Sequence, residues 1–144
     1  MKRLHVHLKV GNLDDSIAFY TALFGRAPDK IESDYAKWLL DDPRANVSIS
    51  TRPGQGGVDH VGVQLDNDGD LEEIAARLTA ADASIAPESN ATCCYAKSNK
   101  YWARSPEGAV WELFHTFGDS ATYGADPKAV TAPAQTAACC APAQ

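Results

Sequence analysis

No stretch of this 144-residue chain approaches the ~20 consecutive apolar residues that a membrane-spanning helix needs. The opening MKRLHVHLKV runs straight into strand alternation, without the apolar core of a signal peptide. Basic clusters are missing as well. Thirteen Lys and Arg stand against 19 Asp and Glu, a net charge of −6, so there is no patch for neutralising phosphates. These absences argue against a membrane span and a nucleic-acid partner, and the expectation is a cytoplasmic protein. Separable cysteines are lacking too: the four present form two adjacent pairs, Cys93-Cys94 and Cys139-Cys140. Neighbouring Cα atoms lie about 3.8 Å apart, closer than the roughly 4.4–6.8 Å of a relaxed disulfide. The pairs therefore read as thiols kept for soft-ion chemistry rather than as staples.

What is present is the make-up of one globular domain, with 44% hydrophobic and 22% charged residues. In LHVHLKV, residues 4–10, Leu4, Val6, Leu8 and Val10 share one face, and His5, His7 and Lys9 the other. GNLDDSIAFYTALFG follows as an amphipathic helix, with Asn12 as N-cap, Asp14 and Asp15 at the positive end of its dipole and Gly25 as its stop. Its expected apolar stripe is Ile17, Tyr20, Leu23 and Phe24. Strand-like runs come next at YAKWLL and NVSIST, then a turn at PGQGG.

The pattern then restarts. VDHVGVQL is a strand with Val61, Val63 and Leu65 on one face and His60 on the other, and DNDGDLEEIAARLTAADA is a capped helix burying Leu71, Ile74, Ala75 and Leu78. TCCYAKS, KYWAR and AVWELFHTF return as strand-like runs, with a turn at SPEG. A βαβββ unit thus occurs twice. The fold class is α+β, a single domain over residues 1–117 with modules of about 1–55 and 56–117. From about Gly118 the composition turns to Ala, Pro, Thr and Gln, so 118–144 is expected as a disordered tail carrying Cys139-Cys140.

The register of the repeat pairs His5 with His60 and His7 with Gly62. Each module opens with an inward His, but only the second closes with an acid, Glu112, and the matching stretch NVSIST holds no carboxylate. Singly, a strand His is an ordinary polar residue. Two at equivalent positions, with a Glu inside the apolar run AVWELF, make a candidate ligand set, because a carboxylate there is costly unless paired or coordinated. His5, His60 and Glu112 form an N/O set suited to Fe(II), Mn, Co, Ni or Zn, with positions left open for water, O2 or substrate. A two-histidine, one-carboxylate set with vacant positions suits a non-haem Fe(II) oxygenase, whereas a fourth ligand would favour Lewis-acid chemistry. His7 ranks second as a ligand, and His115, on the face opposite Glu112, is expected to be structural or exposed. Cys93 and Cys94 need a loop or irregular backbone to chelate together, since successive strand side chains oppose one another; Asn90, Ala91 and Thr92 would supply that loop. Lys100, Tyr101 and Tyr95 are expected to line the pocket.

The duplicated pattern, with His5 and His60 in first strands and Glu112 in SPEGAVWELF, resembles the vicinal oxygen chelate superfamily of glyoxalases, extradiol dioxygenases and bleomycin-resistance proteins. More narrowly, LHVHLKVGNLDDSIAFYTALFG, DYAKWLLDDP, VDHVGVQ and CCYAKSNKYWARSPEGAVWELF followed by GDS are similar to the organoarsenical C–As lyases and the cadmium-induced proteins. The resemblance implies an Fe(II)- and O2-dependent lyase for trivalent organoarsenicals, with iron on His5, His60 and Glu112 and arsenic on Cys93 and Cys94. It implies a chain working as monomer or homodimer. The rival expectations are a non-catalytic cadmium or arsenite binder, a glyoxalase-type enzyme and an extradiol dioxygenase for catechols.

Overall fold

A computed structural model describes residues 1–124 as β1 (Arg3–Lys9), α1 (Leu13–Phe24), β2 (Lys30–Glu32), β3 (Tyr35–Asp41), β4 (Arg44–Ser50), β5 (Gly57–Leu65), α2 (Asp68–Ala80), β6 (Ile85–Cys93), β7 (Ala96–Arg104) and β8 (Val110–Asp119). All eight strands form one curled sheet in the order β2-β3-β4-β1-β5-β8-β7-β6. Each half runs through the same sequence of strands. β1 pairs parallel with β4 as β5 does with β8, and the halves join through antiparallel β1 and β5. Both βαβββ units thus share one sheet, in keeping with the α+β duplication expected from the sequence. Among the described residues, no helix is long and apolar enough to cross a membrane.

The helices cover the convex face, and strand alternation sends apolar residues towards them. Ala36, Trp38, Leu40, Ala45 and Ile49 are buried under α1, which contributes Leu13, Ile17, Tyr20 and Phe24. Leu23, expected on that stripe, is 62% exposed. It sits ten residues after Leu13, and the 100° helical step carries it off the i, i+4, i+7, i+11 line that the other four occupy. In the second module Leu65, Leu71 and Leu113 form the centre, with Ile74 and Leu78 packed against it. Full burial of one such side chain stabilises the fold by about 1.5–3 kcal/mol.

Caps fix where each helix begins. The Asn12 side chain accepts from the Asp15 amide at 3.1 Å, and Asn67 accepts from Asp70 at 2.8 Å. Gly25 ends α1 at φ 68°, a left-handed turn that glycine adopts without Cβ strain. At the other end of the chain, β8 continues past the expected boundary at Gly118 to Asp119, and Gly124 bridges to Cys93. The rest of the expected tail, including Cys139 and Cys140, lies outside the described residues.

The concave face is different in kind. His5, His7, Asn46, Ser48, Ser50, His60, Ser98, Lys100 and Glu112 are all buried polar residues that face inward. A sheet lined this way is a poor hydrophobic core and a good place to hold an ion.

Candidate metal and thiol site

Alternation along β1, β5 and β8 brings three donors together. His5 Nε2 lies 3.3 Å from His60 Nε2 and 3.5 Å from Glu112 Oε2, and His60 Nε2 lies 3.3 Å from the same oxygen. A triangle with these sides has a circumradius of about 1.9 Å, just inside the roughly 2.1 Å typical of metal–nitrogen bonds. One ion can touch all three. The rings are also set in the required tautomer. His5 Nδ1 donates to the Asn46 carbonyl at 3.0 Å and His60 Nδ1 to Asp59 Oδ2 at 2.8 Å, so that in the neutral ring each Nε2 lone pair faces the common point, His60 giving up its Nε2 proton when an ion binds. Lys9 in turn holds Asp59 at 2.8 Å.

His7 widens the cluster. Its ligand atom lies within 4.8 Å of those of His5 and His60, so a three-histidine set is also within reach of one ion. Its Nε2, however, already meets Ser50 Oγ at 2.8 Å, while its buried Nδ1 has no hydrogen-bond partner. The His5, His60 and Glu112 triangle is the tighter of the two, and its chemistry is mixed N/O. Either set fits a divalent metal.

Electrostatics keeps Glu112 ionised at 5% exposure. Burial alone would raise its pKa, but the Lys100 ammonium and His60 outweigh burial and hold it well below the usual carboxylate range. Lys100 Nζ sits 2.6 Å from Glu112 Oε1 and stays protonated: burial opposes its charge, but Glu112 and Cys93 more than compensate. Oε1 is thereby occupied and Oε2 is left to the histidines. Burial also pulls His5 down to about 4, against the opposing pull of Glu112. For His60, burial is overcome by Asp59 and Glu112, which lift it to about 9.

The second group of donors is the dithiol. Cys93 and Cys94 are free thiols with their sulfurs 3.1 Å apart. The loop expected at Asn90–Thr92 is not what aligns them, because β6 runs through to Cys93. Instead, Cys93 pairs with Ala96, and Cys94 and Tyr95 form a two-residue hairpin turn with φ of 57° and 59°. Positive φ at both central positions is the type I′ geometry, normally taken by Asn-Gly. A non-glycine residue there costs about 1–2 kcal/mol. That left-handed step turns Cys94 back beside Cys93, where an extended strand would send it to the opposite face. Two sulfurs at this spacing, each about 2.3 Å from a soft ion, subtend an angle of about 85°. The hydrogen bond from Cys94, assisted by Lys100, lowers the Cys93 thiol pKa, and that same bond together with burial raises that of Cys94.

The dithiol and two of the triad, His5 and Glu112, open on one cavity of about 220 Å³, whose walls also include Lys100 and Phe114. A second cavity of about 250 Å³ reaches the thiols from the side of Lys9, Asp59, His60 and Tyr123. Tyr101 is not among these residues. It neighbours Lys100 on β7 and so points to the convex face, where its hydroxyl donates to Glu72 at 3.0–3.1 Å and its ring packs on the α2 core. The expectation that Tyr101 lines the pocket is corrected by strand parity. His115 likewise lies outside, bonded to Asp68 at 3.0 Å. Sequence reasoning missed Asp59, Asn46 and Tyr123; Asp59 carried a signal, an acid beside a candidate ligand, whereas the other two carried none.

A family model described as the Glyoxalase/Bleomycin resistance protein/Dioxygenase superfamily matches residues 2–113. The chain belongs to that superfamily. It is 42% identical over 122 residues to the trivalent organoarsenical cleaving enzyme of Bacillus sp. (strain MD1), covering 81% of this chain and 74% of that one. It is 34% identical over 129 residues to the cadmium-induced protein CadI of Mycobacterium tuberculosis (strain ATCC 25618 / H37Rv), covering 89% and 85%. Among solved structures, the Mn(II)-bound glyoxalase from Novosphingobium aromaticivorans shares the fold, with a TM-score of 0.59 at 19% identity over 89% of this chain and 44% of that one.

Proposed function

We propose that this superfamily member is a non-haem, Fe(II)- and O2-dependent lyase that cleaves the carbon–arsenic bond of trivalent organoarsenicals and releases arsenite. One observation carries the reading: His5 and Glu112 of a two-histidine, one-carboxylate triad line the same cavity as a close dithiol, and His60 meets both of them within 3.3 Å. The similarity to a trivalent organoarsenical cleaving enzyme supports the carbon–arsenic bond as the one broken.

In this reading His5, His60 and Glu112 hold the metal, Cys93 and Cys94 hold arsenic, and Lys100 keeps Glu112 charged and oriented. When bound, Fe(II) supplies the one-electron reactivity that O2 chemistry requires. The chain's own contribution is positioning. Two thiolates occupy two of the three valences of arsenic and leave its carbon substituent to fill the cavity towards the triad, which turns a bimolecular encounter into a local one. Buried walls keep bulk water from the reacting centre. The modules of about 1–55 and 56–117 act as one catalytic unit, complete in a single chain. Such a unit suits the cytoplasm, where thiols stay reduced.

A sequestering protein would need the dithiol alone, so the triad is what favours an enzyme. Anaerobic loading with Fe(II), followed by a trivalent methylarsenical and O2, should release arsenite. Cys93→Ser and Cys94→Ser should each lower that release at least a hundredfold while Fe(II) binding, followed by titration, persists. Full turnover in either variant would remove arsenic from the thiols, and binding without arsenite release in the wild type would leave sequestration.

A further inference from the structure

The two modules carry equivalent two-residue turns at the two outer hairpins of the sheet: Ser33-Asp34 joins β2 to β3, and Cys94-Tyr95 joins β6 to β7. The sheet curls until these turns touch. The Tyr95 hydroxyl donates to Asp34 Oδ1 at 2.5 Å, Lys30 Nζ donates to the Tyr95 carbonyl at 2.8 Å, and the Tyr95 ring lies 5.8 Å from that of Tyr35. Asp34 is itself fixed, because its carbonyl accepts from the Thr51 amide at 3.0 Å. The second module's dithiol is thus gripped by the first module, some sixty residues away in the chain.

This grip matters because the thiol spacing depends on backbone that the chain would not choose on its own. Cys94 and Tyr95 are both left-handed without being glycine. If the turn relaxes to an extended or right-handed form, Cys94 leaves Cys93 and the chelating pair is lost. Tyr95 is the turn residue with side-chain contacts across the module boundary, and Asp34 is the acceptor that anchors its hydroxyl.

We propose that Asp34 is a positioning residue for the dithiol: through Tyr95 it holds the Cys94-Tyr95 turn in the conformation that brings the two sulfurs together. This rests on the reading of Cys93 and Cys94 as the arsenic-binding pair. The clasp spans the two modules, so each contributes to thiophilic binding even though only the second carries thiols.

The test uses the full chain loaded with Fe(II), with O2 excluded so that no turnover intervenes, and phenylarsine oxide as the dithiol probe. Asp34→Ala and Tyr95→Phe should each weaken phenylarsine oxide binding about tenfold or more. Asp34→Asn, whose amide oxygen still accepts, should stay within about threefold of wild type. Fe(II) affinity should not change in any of them, and with organoarsenical substrate KM should rise while kcat at saturation holds. Wild-type binding in both Asp34→Ala and Tyr95→Phe would overturn the clasp, as would a parallel fall in Fe(II) affinity, which would mean general loosening. Weakening in Asp34→Asn equal to that in Asp34→Ala would overturn it as well. If the wild type binds phenylarsine oxide but releases no arsenite from an organoarsenical, the catalytic reading fails while the clasp is still judged by the same titrations.

Discussion

The two modules share a plan and differ in their chemistry. Each has an inward histidine on its first strand, an Asn-capped helix and a three-strand ladder that returns beside the first strand. The register shows where they part. In the first module His7 stands opposite Ser48, and at the equivalent place in the second Gly62 stands opposite Glu112. Where one half has a large ring facing a small hydroxyl, the other has no side chain facing a carboxylate. The equivalent turns differ in the same way, Ser33-Asp34 in one half and Cys94-Tyr95 in the other. Duplication supplied the scaffold, and the few positions where the copies diverge supply the acid and the thiols. The first half keeps the inward His5, one corner of the candidate triad.

The most severe way to erase that divergence is Glu112→Ala. It makes the second module as acid-free as the first and strands the buried Lys100 ammonium, which should cost about 3–5 kcal/mol in denaturant unfolding. Iron binding by titration and arsenite release should both disappear. Next is Gly62→Ala. A Cβ there would meet the Glu112 carbonyl oxygen at 2.1 Å, so β5 and β8 must part, at a cost of about 1–3 kcal/mol and with weaker iron binding. Wild-type iron affinity in this variant would show that the close approach is incidental.

A smaller effect is confined to the thiols. The lowered pKa of Cys93 means that its thiolate persists to lower pH, so alkylation by iodoacetamide, followed by mass spectrometry, should have its midpoint below the roughly 8.5 of a free cysteine. Cys94→Ala removes the donor that stabilises this thiolate and should move the midpoint upward. The smallest expected effect is shared by both halves. Asn12→Ala and Asn67→Ala each remove one cap bond and should cost about 1 kcal/mol, nearly equally, in thermal unfolding.

Much of this was legible because periodicity is a local property. Alternation in LHVHLKV and VDHVGVQL decides which histidines face inward, and the repeat makes His5 and His60 equivalent. Glu112 stood out as a charge inside an apolar strand. The misreadings came where one residue changes the outcome. Tyr101 is next to Lys100 in sequence, yet adjacent strand residues face opposite ways. TCCYAKS looked like a continuous strand because neither Cys94 nor Tyr95 is a usual turn residue. The short β2 and the first half of β6 lacked sustained alternation and were not anticipated.

The sequence by itself determined the duplicated architecture and which side chains point to the concave face, because those follow from spacing along a strand or helix. Only the tertiary structure decided that three donors meet within 3.5 Å, that Lys100 takes one oxygen of Glu112, and that Asp34 reaches Tyr95. Such contacts depend on how far the sheet curls and how its halves register. These are distances between segments far apart in the chain, set by packing over the whole domain and written in no local pattern.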